Sequence, residues 1–240
     1  MSLTCLFGGT FNPIHNGHLF LADEARHVLG SQRIVFIPNR TPPHKESPRV
    51  DAAARQVMLK AAVDTVEGFE IDQVELEREG PSFTIHTLES YPSSERLAFL
   101  CGADAFLYPW HRLNDVLERL EVLLLANRAG FEFRLPPQLE ALPPHLRDKI
   151  RLLEFPDISI SSSDIRRRVR EGRAFRFLIP EPVYRIILSH GHYLDSGSVE
   201  LASAGNAFGE ALEPLLGTER KDRLEFGKLR NSHNRGPNSP

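Results

Sequence analysis

The chain has 240 residues, of which 41% are hydrophobic and 25% charged, and its formal net charge is -3 at pH 7. This length allows one large domain or one domain with an appendage, and the balanced charge argues against a protein that coats nucleic acid. No run of residues approaches the ~18 apolar residues of a membrane span, and the first residues lack the pattern of a signal peptide. We therefore expect a cytoplasmic globular protein with neither a membrane nor a nucleic-acid partner.

Short apolar runs alternate with helical patterns, which is typical of βαβ units and a parallel sheet. Strands are predicted at residues 3–7, 34–37, 69–71, 97–101, 122–126 and 152–155. Helices are predicted over residues 17–29 with Gly30 as C-cap, from Asp51 to Val63, from near Asp164 after a Ser161–Ser163 cap, and from Pro182. Cys5 and Cys101 lie in apolar runs and are expected as buried, reduced thiols. The pattern predicts a Rossmann-like α/β fold, a doubly wound and mostly parallel sheet with helices on both faces.

The composition changes after about Asp195, which predicts one domain over residues 1–195 and a C-terminal extension over 196–240. The extension has a weak helical pattern at first, and its last residues are rich in Ser, Asn, Gly and Pro, which is typical of disorder. Its excess of Lys and Arg fits a solvated tail better than a nucleic-acid arm.

The segment after the first strand, GGTFNPIHNGH over residues 8–18, combines glycines with two histidines. Gly8 and Gly9 let a ligand approach the backbone closely, and the helix that follows offers free N–H groups to a phosphate. His15 and His18 are three residues apart and project to the same side. A zinc site would need further ligands that we do not find, whereas capping or surface histidines stay open from spacing alone. The alternative is a pair of imidazoles that stabilises charge on a phosphoryl group.

A second group of phosphate-binding residue types lies in ISSSDIRRRVREGRAFR over residues 160–176. Serine hydroxyls at a helix start cap it or bind phosphate, and the planar guanidinium suits bidentate phosphate contacts. Arg166, Arg170 and Arg173 share one helix face. Taken alone, such a helix is more often a solvated surface, but together with the upstream segment it favours triphosphate binding.

The middle of the chain supplies weaker signals. Asp104 follows Gly102 at the end of the fourth strand, where an acidic residue suits ribose hydroxyls, although a helix cap explains it as well. Trp110 is a lone tryptophan of the kind that usually packs in a core or on a surface. Lys45, in a proline-rich loop, is by itself an ordinary surface lysine.

These segments together resemble one family. GGTFNPIHNGH resembles the T/HxGH signature of the nucleotidyltransferase superfamily and, more narrowly, the opening of bacterial nicotinate-nucleotide adenylyltransferases. ISSSDIR resembles their ISSTxIR motif, with Ser163 in place of threonine, and residues 42–45 resemble their PPHK loop. Residues 82–88 resemble their S-[YF]-T-x-D-T-L segment, but His86 replaces the aspartate and receives no role. Gly102, Asp104 and Trp110 are similar to the family's GxDxxxxxxxW spacing, although fewer residues separate Asp104 from Trp110 here.

The resemblance, which spans residues 3–194, implies transfer of the AMP group of ATP to nicotinate mononucleotide, giving deamido-NAD and pyrophosphate. It implies Mg²⁺ carried with ATP and no metal site of the protein itself. The implied catalytic residues are His15, His18 and Arg166, the ATP-binding residues are Gly8, Gly9, Thr10, Phe11, Gly102, Asp104 and Ser163, and the substrate-binding residues are Lys45, Thr84 and Trp110. A preference for nicotinamide mononucleotide, a dual-specific enzyme, a cytidylyl- or pantetheine-phosphate-type transferase and a non-enzymatic nucleotide sensor are the alternatives. The oligomeric state, including a homo-oligomer, is left open.

Overall fold

A computed structural model of the chain describes residues 2–40, 50–126, 136–156 and 158–194. Within these ranges six strands form one sheet in the order β3-β2-β1-β4-β5-β6, and every neighbouring pair is parallel. The strands are β1 (Thr4–Gly9), β2 (Arg33–Pro38), β3 (Phe69–Ile71), β4 (Leu97–Gly102), β5 (Val122–Ala126) and β6 (Ile150–Leu153). The predicted doubly wound α/β fold is therefore confirmed.

The last strand lies two residues earlier than the sequence predicts, at Ile150–Leu153 instead of 152–155. β6 is an edge strand, and its Leu152, which the predicted strand includes, is 47% exposed. Because an edge strand is only partly covered, its apolar residues mark the core poorly.

Helices cover both faces of the sheet. They are α1 (Asn16–Leu29), α2 (Ala52–Val63), α3 (Val74–Glu77), α4 (Thr84–Glu89), α5 (Leu113–Arg119), α6 (Pro137–Glu140), α7 (Pro144–Arg147), α8 (Ser162–Arg170) and α9 (Glu181–His190), with 3-10 turns at Ala103–Leu107 and Arg176–Leu178. Buried residues of α1, α2, α8 and α9 join one core, and those of α4 to α7 join the other. Alternate residues of β1, β2, β4 and β5 belong to the two cores, as both-sided burial of a parallel sheet requires.

The predicted helix caps are present. Gly30 ends α1 in the left-handed conformation with φ 57°, and the Asp51 carboxylate accepts a 2.8 Å hydrogen bond from Ala54 N at the start of α2. Ser161 Oγ accepts from Asp164 N, so α8 begins at Ser162, slightly before the predicted position. Local capping signals thus located these helix ends to within two residues.

Cys5 and Cys101 are buried, as predicted, and they belong to the two different cores. Burial raises the pKa of the Cys5 thiol to about 12 and also raises the pKa of Cys101. Both side chains are therefore neutral packing groups at physiological pH.

The strand order reverses between β1 and β4, which are neighbours in the sheet. In open parallel sheets the ligand crevice lies beyond the carboxyl ends of the strands at such a reversal. Those ends are Gly9 and Gly102, where the two glycine-containing segments begin. The fold therefore brings together segments that lie about a hundred residues apart in the sequence.

Part of the sequence-based interpretation falls outside the described ranges. Lys45 lies there, and so do residues 196–240, so the substrate-binding role, the domain boundary and the properties of the extension stay predictions. Among the described residues, no helix is both long enough and apolar enough to cross a bilayer.

Candidate active site

His15 and His18 form a reciprocal cap at the start of α1. His15 Nδ1 accepts a 3.2 Å hydrogen bond from His18 N, and His18 Nδ1 accepts a 3.2 Å bond from His15 N. The two imidazole rings stack with centroids 3.5 Å apart and an interplanar angle of 20°. This is the geometry of a capping box built from two histidines. The capping alternative raised by the sequence is thus realised, and it does not exclude a role in chemistry.

The cap has a chemical consequence for both rings. A nitrogen that accepts a backbone N–H carries no proton, so in each neutral imidazole the proton sits on Nε2. Each Nε2 is then a hydrogen-bond donor held in a fixed direction at a helix N-terminus, where the dipole also favours an anion. The arrangement suits stabilisation of negative charge on a phosphoryl group.

Phe11 lies beneath this pair and is only 2% exposed. Its ring meets His18 edge to face at 5.2 Å and packs against Phe7 and Phe36. The sequence assigned Phe11 to ATP binding, but a buried ring leaves only its backbone for such a contact. The side chain instead supports His18 from the core side.

The glycines of the first segment are required by packing. A Cβ on Gly8 would lie 2.6 Å from Phe99 Cζ, and one on Gly9 would lie 2.8 Å from Phe11 Cζ. Real Cβ atoms do not approach other carbons this closely, so larger residues would displace these rings. The space next to both glycines is thus filled by aromatic side chains of the chain itself.

Arg166 joins the second predicted segment to the first. Its Nη1 donates to Asn12 O at 2.7 Å, and its Nη2 donates to Ser163 Oγ at 3.3 Å. Ser162 Oγ donates to Pro13 O at 2.9 Å. The first turn of α8 is therefore bonded to the chain immediately before α1.

Burial lowers the pKa of the Arg166 guanidinium, and the neighbouring charge of Arg170 adds to this effect. Arginine nevertheless stays cationic in proteins. A partly desolvated cation attracts phosphate more strongly than an exposed one because less water screens it. Arg166 is thus a partly buried cation of the kind that suits an anionic ligand.

Most other arginines of this segment have carboxylate partners. Arg168 Nε lies 2.6 Å from Asp164, which also pairs with Arg167, and these two arginines hold the pKa of the Asp164 carboxyl below its usual value. Arg176 pairs with Glu181 at 2.9 Å. Half-buried or exposed ion pairs thus account for these arginine side chains without a ligand.

Tyr193 is a site-supporting residue that the sequence analysis missed. Its hydroxyl donates to Asn12 Oδ1 at 2.8 Å, and burial raises its pKa, so it remains protonated. Asn12 is therefore held by Tyr193 at its side chain and by Arg166 at its carbonyl. No local signal in the sequence links residues 12 and 193, because the contact exists only after the chain has folded.

Gly102 and Asp104 lie where the sequence placed them, at the end of β4 and in the following 3-10 turn. Asp104 is exposed and is the second residue of this turn, whose N-cap is Gly102, so Asp104 does not occupy the cap position. A Cβ on Gly102 would collide with the Asp104 carboxylate. Glycine is thus needed here for the carboxylate to occupy its position beyond β4.

Trp110 and Thr84 lie on the second face of the sheet. The Trp110 ring stacks on Phe106 at 4.4 Å with an interplanar angle of 4°, and its Nε1 donates to Ala105 O at 3.0 Å. Gln138 Oε1 accepts from Trp110 N at 3.2 Å, which adds a positioning residue that the sequence did not reveal. Half-buried Thr84 is the first residue of α4.

His86 of α4 lies in a small aromatic cluster at this end of the molecule. Its ring meets Phe83 at 5.8 Å and His111 at 6.0 Å between centroids. The imidazole that replaces the family's aspartate thus has aromatic neighbours, and nothing in these contacts assigns it a chemical role.

The described residues contain no group of three or more His, Cys, Asp or Glu side chains that could hold a metal ion. Mg²⁺ prefers carboxylate and phosphate oxygens and keeps several waters. The donor set in the described part of the chain therefore does not fit a dedicated magnesium cage, and transport of the ion on the nucleotide stays a prediction.

Comparisons with known proteins extend these observations. The cytidylyltransferase-like family model matches residues 6–168, more than half of the chain. The protein named "Probable nicotinate-nucleotide adenylyltransferase" from Desulfitobacterium hafniense strain Y51 is 39% identical over 196 residues, which cover 78% of this chain and 94% of the relative. The protein of the same name from Thermomicrobium roseum is 40% identical over 200 residues, covering 80% and 92%.

A solved structure supports the fold independently. The chain is similar to Plasmodium falciparum nicotinic acid mononucleotide adenylyltransferase complexed with NaAD, with a TM-score of 0.63, 19% identity, and coverage of 80% of this chain and 98% of that one. At this identity the likeness concerns the fold alone. From the family match and the relatives, the chain belongs to the cytidylyltransferase-like family and, within it, to the nicotinate-nucleotide adenylyltransferases.

Proposed function

We propose that this chain transfers the adenylyl group of ATP to nicotinate mononucleotide, forming deamido-NAD and releasing pyrophosphate. Family membership and the names of its relatives support this reaction. The observation that carries it is the bond from Arg166 to Asn12 O, since it joins a cation and the α8 N-terminus to the His15–His18 cap across 154 positions of sequence.

The reaction is a direct displacement. A phosphate oxygen of nicotinate mononucleotide attacks the α-phosphorus of ATP, a new P–O bond forms, and the bond to the leaving pyrophosphate breaks. The attacking phosphate monoester needs no activated side-chain nucleophile, and catalysis rests on positioning and charge stabilisation. His15 and His18 donate through Nε2 to the reacting phosphates, and Arg166 with Ser163 binds the triphosphate.

The acceptor occupies the side of Thr84 and Trp110. Trp110 has one ring face on Phe106 and its indole N–H on Ala105 O, which fixes its orientation. An aromatic ring held in this way offers area to a planar pyridine ring. Lys45 supplies a cation for the acceptor phosphate, and Asp104 accepts from ribose hydroxyls.

Mg²⁺ would screen charge on the triphosphate, and because the described donors do not fit a cage for it, the ion would arrive with ATP. The protein's own contribution is the orientation of the two nucleotides and the fixed donors around the phosphates.

The test follows pyrophosphate release from ATP and Mg²⁺ with nicotinate mononucleotide and nicotinamide mononucleotide in parallel. Fast release with the acid and slow release with the amide supports the proposal. Equal release with both, or release with the amide alone, keeps nucleotidyl transfer but contradicts the acceptor. ATP binding without release with either acceptor contradicts the enzyme and favours a nucleotide sensor.

A further inference from the structure

Asn39, the residue that follows β2, is bonded from several directions. Its backbone N donates to Gly9 O at 3.0 Å, which continues the pairing of β2 with β1 past the end of the strand. Its side-chain Oδ1 accepts from Thr10 Oγ1 at 3.4 Å. Asn39 is thus bonded through both its backbone and its side chain to Gly9 and Thr10, which the family resemblance assigns to ATP binding.

The other end of the Asn39 amide binds a buried carboxylate. Asn39 Nδ2 donates to Glu75 Oε2 at 3.0 Å, and Glu75, in α3, is only 4% exposed. The second carboxylate oxygen, Oε1, accepts from the Thr87 hydroxyl. Each oxygen of this buried carboxylate therefore has a hydrogen-bond donor, as a buried polar group requires.

Thr87 is fully buried and lies in α4, three residues after Thr84. Residues three apart lie on neighbouring positions of a helix surface. The chain of hydrogen bonds from Thr10 through Asn39 and Glu75 to Thr87 therefore links the loop after β1 to the helix that begins with Thr84. These two elements serve the two different nucleotides in the proposed reaction.

A buried guanidinium binds the backbone of the same two residues, Thr10 and Asn39. Arg55 of α2 is 1% exposed and donates to Thr10 O at 2.7 Å and to Asn39 O at 2.8 Å. Arg55 thus fixes the backbone of Thr10 and Asn39, while Glu75 fixes the Asn39 side chain. Buried polar networks of this kind tolerate few alternative arrangements, since any change leaves a polar group unpaired.

We propose that Glu75 and Thr87 are positioning residues for adenylyl transfer, which hold the Thr84 helix in register with the Thr10 loop so that acceptor and ATP meet in line. This inference rests on the proposed function, because it needs the two nucleotides on these two elements. Loss of register leaves the contacts of each nucleotide within its own element intact. It therefore lowers the rate of the chemical step more than it weakens binding.

The test compares threonines that make the same kind of bond at opposite ends of the sheet. Thr87→Val removes the hydroxyl that binds Glu75 and keeps the side-chain shape. Thr4→Val is the matched control, because Thr4 is also buried and donates to the Glu95 carboxylate at 3.0 Å, at the amino end of β1. Thr87→Ser restores the hydroxyl.

At saturating ATP and nicotinate mononucleotide, we expect Thr87→Val to lower kcat about 10-fold or more, with each KM within about threefold of wild type. Thr87→Ser and Thr4→Val should keep kcat within about threefold. Thr4→Val should nevertheless lower stability to urea, because it removes the hydrogen bond to the Glu95 carboxylate. If Thr87→Val does not fold, Asn39→Ser interrupts the same network at a half-buried residue, with the same expected loss of kcat.

Two results would overturn the inference while leaving the proposed function standing. One is an equal loss of kcat in Thr87→Val and Thr4→Val, and the other is a raised KM with unchanged kcat in Thr87→Val. A wild-type protein that releases no pyrophosphate with either acceptor would overturn the proposed function itself, and the inference with it.

Discussion

His18 offers the sharpest test of the candidate site because its two ring nitrogens have separate tasks. Nδ1 accepts from His15 N and closes the cap of α1, while Nε2 is the proposed phosphate donor. In His18→Asn, the amide oxygen reaches the position of Nδ1 and keeps the cap, but no atom reaches the position of Nε2. His18→Ala removes both groups.

The two losses differ in size. Loss of the His18 side chain removes only one of the two bonds of the capping box, because His15 Nδ1 still accepts from the backbone N of residue 18. It therefore costs no more stability than loss of a whole helix cap, which is about 0.5–2 kcal/mol. Removing a preorganised donor to a transition state costs about 2.7–4 kcal/mol, or about 100- to 1000-fold in kcat. With a typical unfolding free energy of about 5–15 kcal/mol, loss of the cap leaves nearly all molecules folded. A 100-fold loss of turnover therefore cannot come from unfolding.

The assay is pyrophosphate release at saturating ATP and nicotinate mononucleotide, with urea unfolding followed by circular dichroism. We expect His18→Asn to retain stability and to lose at least about 100-fold in kcat, and His18→Ala to lose the same turnover plus about 1 kcal/mol of stability. Turnover of His18→Asn within about threefold of wild type would refute the donor role and leave His18 as a cap alone.

Further predictions concern the support of the site and the core. Tyr193→Phe should lower the free energy of unfolding by about 1–3 kcal/mol, because buried Asn12 Oδ1 loses its donor; an unchanged urea midpoint would contradict this. Gly8→Ala should destabilise by about 1–3 kcal/mol through the collision with Phe99, and Phe99→Leu should partly restore stability in the double variant. Burial raises the pKa of Cys5 to about 12 from a usual value of 9.0. The thiol therefore loses its proton at a lower pH in the unfolded chain than in the folded one. The free energy of unfolding should fall as pH rises above about 9, by up to about 1.4 kcal/mol per pH unit for each such thiol. Cys5 should correspondingly resist iodoacetamide at pH 8 in the native protein, and rapid native labelling would show that it is accessible.

The sequence was sufficient for features that depend on neighbouring residues. The strands β1 to β5, the Asp51 and Ser161 caps and the left-handed Gly30 each arise from a few consecutive residues. Apolar periodicity and capping chemistry act over such short distances, which is why these elements were predicted with small errors. The motif at residues 8–18 belongs to the same class, since its residue types and spacing are visible in one segment.

The roles of particular side chains needed the folded chain. Phe11 occurs inside the motif, yet its ring is buried under His18, and nothing in the segment distinguishes a ligand contact from a core contact. Similarly, the packing that requires Gly8 involves Phe99 on the neighbouring strand. Strand pairing, and not the motif itself, determines these contacts.

The sequence by itself determined the fold class, the order of the strands and the family to which the chain belongs, whereas the helices α3 to α7 were not predicted from it. Only the tertiary structure decided how the site is held, through Arg166 and Tyr193 on Asn12 and through Glu75 between Asn39 and Thr87. The physical reason is that these hydrogen bonds join residues from 12 to 181 positions apart. Their partners are selected by the path of the chain around the sheet, which no local pattern of residues encodes.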